Sequence, residues 1–294
     1  MHVPVLTKEV LEYLNIRPGA KIIDATISGG GHTRAILERF DDVRVLGIEW
    51  DPELLKQFKL KVESEKFKGR IILVNDSYVN LKKIVEEHDF QPDGILFDLG
   101  LSSWHYEESG RGFSFKRNEI LDMRFNPQVQ AESAADVVNK YSEDDLEELI
   151  SSLGEEQFAG SIAKNIVKAR KVKPIIMTDD LVKAVGEAVP EWYKHRKIHF
   201  ATKTFQALRV KVNDEMNNVR RGLEAAIDVL NPGGRLVVIS FQGLEDKIVK
   251  NIFREKAKEG KVKFVVKGTV RPSWEETKTN PRARSAKMKI IEKI

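Results

Sequence analysis

The sequence predicts an α/β protein with an open parallel sheet and an all-α insertion after the fourth strand. Three observations lead to this fold class. Short apolar segments alternate with helical patterns over the first hundred residues, helical spacing alone continues from about residue 115 to residue 202, and the alternation then resumes. Strands that alternate with helices usually pair in parallel, and the helices cover both faces of the sheet.

Four apolar segments in the first part have the length and composition of buried strands, and polar residues follow each of them. The helix after the second strand is expected to begin at Asp51-Pro52, because proline is favoured at the first helical position. The predicted strands are residues 21–26, 43–49, 70–74 and 94–98.

The middle of the chain shows helical spacing and no strand pattern. The helices expected there are residues 134–140, 143–152, 158–170 and 178–189. A helix, a strand, a helix and two strands are then expected at residues 212–230, 235–241, 244–256, 262–266 and 285–291. We therefore predict a sheet domain formed by residues 1–114 and 203–294, and a helical insert formed by residues 115–202.

Composition excludes several classes of protein. The chain of 294 residues contains no cysteine, which excludes disulfides, cysteine-ligated zinc, iron–sulfur clusters and thiol nucleophiles. The N-terminus lacks the basic and apolar regions of a signal peptide, and no apolar run is long enough to span a bilayer. We therefore expect a cytoplasmic protein with no membrane partner.

Charge is distributed unevenly, although the net charge is only +4. Residues 160–221 contain 14 basic and 6 acidic residues, and residues 247–294 contain 15 basic and 5 acidic residues. Basic segments of this kind attract phosphate backbones and favour a nucleic-acid partner, while a solvated surface is the alternative for each. Residues 142–156 contain seven acidic and no basic residues, so this segment is expected to face away from nucleic acid.

A glycine-rich turn follows the first predicted strand, in the segment Asp24-Ala-Thr-Ile-Ser-Gly-Gly-Gly-His32. Glycine lets the backbone approach a ligand, and open parallel sheets bind ligands at the carboxyl ends of their strands. The dinucleotide pattern Gly-x-Gly-x-x-Gly is absent, and the carboxylate of Asp24 would repel a pyrophosphate. The same carboxylate suits S-adenosyl-L-methionine, which carries an ammonium, a sulfonium and no phosphate. A plain strand–helix turn is the alternative.

Polar residues also follow the second and third strands. Asp51 lies 20 residues after Gly31, where a carboxylate can accept hydrogen bonds from ribose hydroxyls, and it can also cap the next helix. The turn from Asn75 to Tyr78 stands where an adenine would be hydrogen-bonded or stacked, or forms a plain surface turn.

The fourth strand closes with Asp98-Leu-Gly-Leu-Ser102-Ser103. An amine on a nucleic-acid base is a poor nucleophile, because its lone pair is delocalised into the ring. A carboxylate that accepts its N–H can hold and polarise it while a methyl group approaches in line. Asp98 is the natural acceptor; in the alternative arrangement Asp98 binds the cofactor and Ser102 or Ser103 faces the base.

The order of short motifs along the whole chain resembles the ribosomal RNA small subunit methyltransferase H family. The matching segments are residues 2–6 (HVPVL), 24–26 (DAT), 29–32 (GGGH), 98–103 (DLGLSS), 111–115 (RGFSF), 121–124 (LDMR), 204–210 (TFQALRV), 212–215 (VNDE), 232–236 (PGGRL) and 280–285 (NPRARS). The chain departs from the family pattern at Gln242-Gly243, where His-Ser is usual, at His105, where Gln is common, and at Tyr78, where Phe is common. The first departure puts any role of position 242 in doubt.

The resemblance implies a Rossmann-like class I methyltransferase sheet and methylation of the exocyclic N4 of a cytosine in 16S ribosomal RNA. The partner would be that RNA or the small ribosomal subunit, and transfer would be direct, with no covalent enzyme intermediate and no metal. The residues that would contact the cofactor by resemblance are Gly30, Gly31, His32, Asp51, Tyr78, Asp98 and His105.

The segment that joins the fourth strand to the insert is rich in arginine and phenylalanine. Arg111 and Arg124 can bond phosphate or a base edge, and Phe113 and Phe115 can stack a base, or these phenylalanines pack the insert onto the sheet. Lys203 belongs to a second basic run with Lys194-His-Arg-Lys-Ile-His199. The interleaved cations there favour phosphate contact or a solvated surface over a metal held by the two histidines.

Two further function classes are compatible with this architecture. Asp24 before the glycines and the absence of the Gly-x-Gly-x-x-Gly pattern argue against a nicotinamide dehydrogenase. A non-catalytic RNA-binding or assembly protein on the same fold is the other alternative. The sequence does not predict an oligomeric state.

Overall fold

The computed structural model describes residues 4–62 and 67–294, without the side chains of residues 60–62. His2 and Val3 of the N-terminal motif therefore lie outside the described residues. The chain forms two compact units: residues 1–100 together with 216–294, and residues 101–215.

The first unit contains a sheet of seven strands in the order β3-β2-β1-β4-β5-β7-β6. The strands are β1 (Lys21–Asp24), β2 (Arg44–Ile48), β3 (Ile71–Val74), β4 (Gly94–Asp98), β5 (Arg235–Ser240), β6 (Val262–Phe264) and β7 (Lys287–Lys293). Strands β1 to β5 pair in parallel, and β7 pairs antiparallel with both β5 and β6. The structure thus confirms the α/β prediction, and it adds an antiparallel edge that the sequence analysis did not predict.

Two hydrophobic cores cover opposite faces of this sheet, because successive residues of a strand point to opposite sides. Ile23 and Phe97 belong to one core, whereas their neighbours Ile22 and Leu96 belong to the other. The helices of the first unit are α1 (Thr7–Tyr13), α2 (Gly31–Arg39), α3 (Pro52–Val62), α4 (Leu81–Glu87), α12 (Glu215–Val229), α13 (Gly243–Lys258) and α14 (Trp274–Thr279). No helix among the described residues is both long enough and apolar enough to cross a membrane.

The second unit is helical and has its own hydrophobic core. Its helices are α5 (Ser103–Glu107), α6 (Ala134–Lys140), α7 (Glu143–Gly154), α8 (Ala159–Val172), α9 (Thr178–Ala188), α10 (Glu191–Lys194) and α11 (Thr202–Val212). The unit extends beyond the predicted limits of 115 and 202 at both ends. The reason is packing: α11 lies against α7 and α6, and Phe205 and Leu208 of α11 belong to the helical core.

The prediction of helical structure directly after residue 115 is wrong for residues 115–133, which contain no helix. Side chains hold this segment instead. Asn213 Nδ2 donates to the carbonyl of Met123 at 2.7 Å, and the N–H of Phe125 donates to Asn213 Oδ1 at 2.8 Å. An isolated bridge joins Ile120 to Met177.

Candidate active site

Three acidic residues lie at one edge of the sheet, where β1, β2 and β4 end. Asp24 closes β1, Asp98 closes β4, and Glu49 directly follows β2. Strand β1 lies between the other two and is parallel to both, so these ends are neighbours. The N–H of Asp98 donates to Oγ1 of Thr26 at 2.7 Å, which ties the turn after β1 to the end of β4.

The carboxylate of Asp24 is almost fully buried. Its Oδ2 accepts a hydrogen bond from the hydroxyl of Thr33 at 2.7 Å, and its Oδ1 accepts the N–H of Thr26 at 3.3 Å. Burial raises the pKa of Asp24, although the bond from Thr33 and the nearby His32 act in the opposite direction. Asp24 therefore anchors both sides of the glycine turn.

The side chains of His32 and Asp98 lie next to each other at this edge of the sheet. Nε2 of His32 lies 3.4 Å from Oδ2 of Asp98. Both ring nitrogens of His32 and Oδ1 of Asp98 are buried and have no hydrogen-bond partner among the described residues. Burial alone would lower the pKa of His32, but the direct side-chain contact with Asp98, followed by the charges of Asp98 and Asp24, outweighs it, and the pKa of His32 is raised.

Glu49 is a site residue that the sequence analysis did not single out. Its Oε2 accepts the N–H of Ser28 at 3.0 Å, and its Oε1 accepts the N–H of Asp51 at 2.9 Å. One carboxylate thus holds the glycine turn and the loop after β2. Burial, and to a lesser degree repulsion from Asp51, raises the pKa of Glu49 to about 7. Its position two residues before Asp51, directly after a strand, is the signal that could have identified it.

The glycine turn needs its glycines for two different reasons. Gly30 has φ +72°, and a Cβ there would meet the ring of Phe58 at 1.6 Å. Gly31 has an ordinary backbone, but a Cβ would lie 2.9 Å from the ring of Pro4. The turn is therefore packed tightly on both sides, and a side chain at either position would displace it.

The N-terminal segment that covers Gly31 is held by the C-terminal part of the same unit. The N–H of Leu6 donates to Oε1 of Glu276 at 2.7 Å, and Glu276 lies in α14. The charge of Glu276 also contributes to the raised pKa of His32. The N-terminal segment, which Glu276 holds through Leu6, thus packs on Gly31, the residue that precedes His32.

Asp51 caps α3 and is fully buried. Its Oδ1 accepts the N–H groups of Glu53 at 3.0 Å and Leu54 at 3.3 Å. Of the two roles predicted for Asp51, the structure therefore shows helix capping. Contact with a ribose stays a prediction.

Tyr78 follows β3 in a short 3-10 turn and is partly buried. Its ring meets the edge of Phe97 with 5.3 Å between centroids. A Cβ on Gly222 of α12 would lie 2.4 Å from the Tyr78 ring, so this glycine makes room for it. Nδ2 of Asn75 donates to the carbonyl of Glu49 at 2.8 Å and ties the loop after β3 to β2. Tyr78 is therefore part of the first unit's packing, and stacking on an adenine stays a prediction.

The remaining predicted site residues lie in the second unit. Ser102 is buried at the start of α5, and its hydroxyl lies 3.0 Å from Nδ1 of His105. The His105 ring packs among aromatic side chains, 5.0 Å from Phe113 and 5.2 Å from Phe125. Ser103 is partly buried. His105 thus caps a helix inside the helical unit, and its contact with a cofactor is untested.

The two arginines predicted to bind RNA bond to their own loop. Nη1 of Arg111 donates to the carbonyls of Arg124 and Phe125 at 2.8 and 2.9 Å, and its guanidinium lies 5.1 Å from the Trp104 ring. Arg124 makes a two-bond pair with Asp122, at 2.7 and 2.8 Å. Phe113 is buried and stacks on Phe125. These three side chains thus contact their own segment of the chain.

Phe115 and Lys203 are less enclosed. The Phe115 ring stacks on His199 with 4.4 Å between centroids, and Lys203 Nζ donates to the carbonyl of Glu155 at 2.5 Å. His195 is exposed and lies 3.3 Å from Glu191. Within the described ranges no group of three potential metal ligands occurs.

Comparison with known proteins agrees with the motif order. The chain matches the model of the MraW methylase family over residues 1–294. It is 44% identical over 296 residues to the ribosomal RNA small subunit methyltransferase H of Dictyoglomus thermophilum, covering 100% of this chain and 97% of that protein. It is 41% identical over 294 residues to the protein of the same name from Persephonella marina, with 100% and 99% covered. These matches confirm the resemblance inferred from the motifs.

Among solved structures, an rRNA methylase from Streptococcus thermophilus matches with 11% identity and a TM-score of 0.45, over 98% of this chain and 93% of that one.

Proposed function

The chain belongs to the MraW methylase family, and we propose on that basis that it methylates small-subunit ribosomal RNA, transferring a methyl group from S-adenosyl-L-methionine to the exocyclic N4 of a cytosine. One observation carries the proposal. Nδ1 of His32 and Oδ1 of Asp98 are buried without a hydrogen-bond partner among the described residues, beside the 3.4 Å contact of Nε2 with Oδ2, at the edge of a parallel sheet where ligands bind.

The charge of this edge fits a cationic cofactor. Asp24, Glu49 and Asp98 close three neighbouring strands, and His32 is the cation among them. Buried polar groups are nearly always hydrogen-bonded in native proteins, so unpaired ones at a ligand-binding edge indicate a ligand. A pyrophosphate would be repelled by these carboxylates, which opposes the nicotinamide dehydrogenase.

S-adenosyl-L-methionine, when bound, supplies a methyl group on a positively charged sulfur. The chain's own residues bind and orient. Asp98 Oδ1 is free to accept the N–H of the target amine and to fix its direction. Cationic His32 offsets part of the negative charge, so that the carboxylates do not hold a cationic reactant too firmly. We assign the remaining cofactor contacts to Gly30, Gly31, Asp51, Tyr78 and His105, as the family resemblance implies.

The alternative for Asp98, in which it binds the cofactor while a serine faces the base, is weaker for Ser102. The hydroxyl of Ser102 is buried and lies within hydrogen-bond distance of His105. Ser103 remains the serine that this alternative requires. We therefore favour Asp98 as the acceptor of the amine.

The test uses the purified protein with S-adenosyl-L-methionine and either protein-free 16S rRNA or small ribosomal subunits. Nucleosides are then analysed by mass spectrometry, and N4-methylcytidine is the expected product. Label in another nucleoside would overturn the N4 assignment. RNA binding with no methyl incorporation in either substrate form would favour the non-catalytic assembly protein, and tighter binding of NAD than of S-adenosyl-L-methionine would favour the dehydrogenase. On this proposal the partner is ribosomal, and the site of action is the cytoplasm.

A further inference from the structure

The helical unit carries an exposed aromatic and basic surface that the site described above does not use. Trp192 in α10 is 59% exposed, and Ile198, which follows that helix, is 60% exposed. By contrast, Arg111, Phe113 and Arg124 are committed to contacts inside the helical unit.

The Trp192 ring is held by aromatic neighbours. It packs edge to face against Phe158 and Tyr193, with centroids 6.0 and 5.7 Å apart. Tyr193 is itself fixed, because its hydroxyl donates to Oε2 of buried Glu156 at 2.6 Å. The exposed ring is thus a preorganised platform, which lowers the entropy lost when a flat ligand stacks on it.

The segment that follows Trp192 is basic, whereas the support of the platform includes Glu156, the buried last residue of the acidic segment 142–156. Glu191 is the only acidic residue between 191 and 199, and Lys194 and His195 lie 3.0 and 3.3 Å from its two carboxylate oxygens. The guanidinium of Arg196 lies over the Tyr193 ring at 5.0 Å, and Lys197 is exposed. Arg196 lies over the ring that packs against Trp192, and Lys197 is the next residue, so these two cations favour a polyanionic partner.

We propose that Trp192, Arg196 and Lys197 form a docking surface for a single-stranded segment of the RNA substrate. A base stacks on the indole, and the two cations contact phosphates beside it. Single-stranded RNA is recognised by this combination of an aromatic face with adjacent cations. Tryptophan and arginine are also common at protein interfaces, so binding of a ribosomal protein is the competing outcome of the test below. The proposal deepens the proposed function and depends on it, because it concerns the RNA of the same reaction.

The experiment compares the full-length protein with three variants: Trp192→Ala, Trp192→Phe and the double variant Arg196→Ala/Lys197→Ala. Binding to protein-free 16S rRNA is measured at several salt concentrations, together with KM for RNA and the Kd of S-adenosyl-L-methionine. The matched control is Lys164→Ala/Lys168→Ala, which removes two exposed lysines from α8 of the same unit.

We expect Trp192→Ala to raise the Kd and KM for RNA at least about fivefold, and Trp192→Phe to restore most of the affinity, since phenylalanine keeps a stacking face. The Arg196→Ala/Lys197→Ala variant should lower the slope of log affinity against log salt by about 0.7 for each phosphate that the protein no longer neutralises. The control should change both quantities little, and no variant should change the Kd of S-adenosyl-L-methionine.

Unchanged RNA binding in both docking variants would overturn the docking surface. It would also be overturned if only assembled subunits, and not protein-free RNA, distinguished the variants from wild type, since a ribosomal protein would then be the partner. Failure of the proposed function looks different, because the wild-type protein would then bind no RNA or form no N4-methylcytidine.

Discussion

The edge of the sheet around His32 and Asp98 differs from the loop of residues 108–133 in how its polar groups are satisfied. At the sheet edge, three buried polar atoms of these two residues lack hydrogen-bond partners among the described residues. In the loop, Arg111 bonds two carbonyls, and Arg124 bonds a carboxylate and the carbonyl of Gln130. Both regions are rich in charged residues that look functional in the sequence. The guanidinium groups of the loop are therefore directed at their own loop, whereas Oδ1 of Asp98 at the sheet edge is left for a ligand.

The same contrast appears in the pKa values. Burial raises the pKa of Asp24 and of Glu49 at the sheet edge. In the helical unit, a bond from Lys140 lowers the pKa of Asp136, and despite the opposing effect of burial a bond from Lys173 lowers the pKa of Asp180. Carboxylates at the sheet edge are thus buried without full compensation, whereas those of the helical unit are paired with lysines. Burial disfavours the charged form of a carboxylate, and a cationic ligand would favour it.

The strongest consequence of this contrast should be the loss of methylation in Asp98→Asn. Oδ1 of Asp98 is the unpaired acceptor, and an amide in place of the carboxylate removes the charge that orients an amine. Removing one preorganised electrostatic interaction of this kind lowers turnover by about 10²- to 10³-fold. The rate of N4-methylcytidine formation under single-turnover conditions measures it.

The matched control is Asp76→Asn, in the neighbouring loop after β3. Its carboxylate already accepts bonds from the N–H of Ser77 and from Asn80. Turnover in this variant should stay within about threefold of wild type. Full activity in Asp98→Asn, with normal thermal unfolding in both variants, would remove Asp98 from the mechanism.

The next effect is on stability, in the contrasting loop. Arg111→Ala removes two charge-assisted hydrogen bonds and leaves two carbonyls and the Trp104 ring without their cation. Hydrogen bonds of this type contribute about 1.5–3 kcal/mol each, so we expect a loss of about 3 kcal/mol in the free energy of unfolding. Chemical denaturation followed by circular dichroism measures it.

Arg117→Ala is the control for that variant. Arg117 also donates to a backbone carbonyl, that of Glu107 at 2.6 Å, but its side chain is exposed to solvent. Its loss should cost less than about 1 kcal/mol. If Arg111→Ala instead kept its stability and lost only RNA affinity, Arg111 would be an RNA ligand, and the contrast between the two regions would fail.

Much of the fold is predictable because the strands are apolar runs with polar ends. The bounds of β4 and α6 agree with the prediction at both ends. The position of β7 is also predicted closely, but its antiparallel direction depends on pairing with β5 and β6, which periodicity does not reveal. The irregular segment 115–133 escapes prediction because its order comes from distant side chains such as Asn213.

The sheet edge is predictable in part for a related reason. Asp24, His32 and Asp98 are identifiable because each stands at or just after a strand or turn, and local sequence shows that. Sequence analysis misses Glu49 because its role depends on two hydrogen bonds that it accepts from backbone N–H groups of two different loops. Whether Arg111 faces solvent or its own loop depends on the loop's path, which the sequence does not contain.

A smaller effect concerns pH. Folding raises the pKa of Glu49 from 4.5 to about 7, so between these values the folded protein holds a proton that the unfolded chain has released. The contribution of Glu49 to the free energy of unfolding therefore falls as the pH rises from about 4.5 to 7, and the raised pKa values of Asp24 and His32 act with the same sign. Glu49→Gln should reduce this fall in the free energy of unfolding by about 2 kcal/mol over the same pH range.

Urea denaturation at pH values from about 5 to 8, which bracket the raised pKa, gives this slope. The control is Glu53→Gln, on the exposed first turn of α3, whose slope should equal that of wild type. The absolute stability of Glu49→Gln will also fall, because its one amide oxygen replaces two acceptors, so only the slope is diagnostic. An unchanged slope would show that folding does not raise the pKa of Glu49.

A last and weaker effect tests how far the sheet-edge site extends into the covering segment. Glu276 accepts the N–H of Leu6, and Pro4 packs where a side chain on Gly31 would stand. Glu276→Ala loosens this cover and removes a charge that favours protonated His32. We expect about a threefold to tenfold rise in the Kd of S-adenosyl-L-methionine by calorimetry, which corresponds to about 0.7–1.4 kcal/mol.

Glu275→Ala is the matched control, because Glu275 is the exposed neighbour of Glu276 in α14 and its loss should leave the Kd unchanged. Glu276→Gln separates the two causes, since its amide oxygen can still accept the N–H of Leu6 while the charge is gone. If Gln restores wild-type affinity, the hydrogen bond matters, and if it behaves as Ala does, the charge on His32 matters. If all three variants bind S-adenosyl-L-methionine as tightly as wild type does, neither the N-terminal segment over Gly31 nor the charge of Glu276 affects cofactor binding. The site would then be confined to the strand ends.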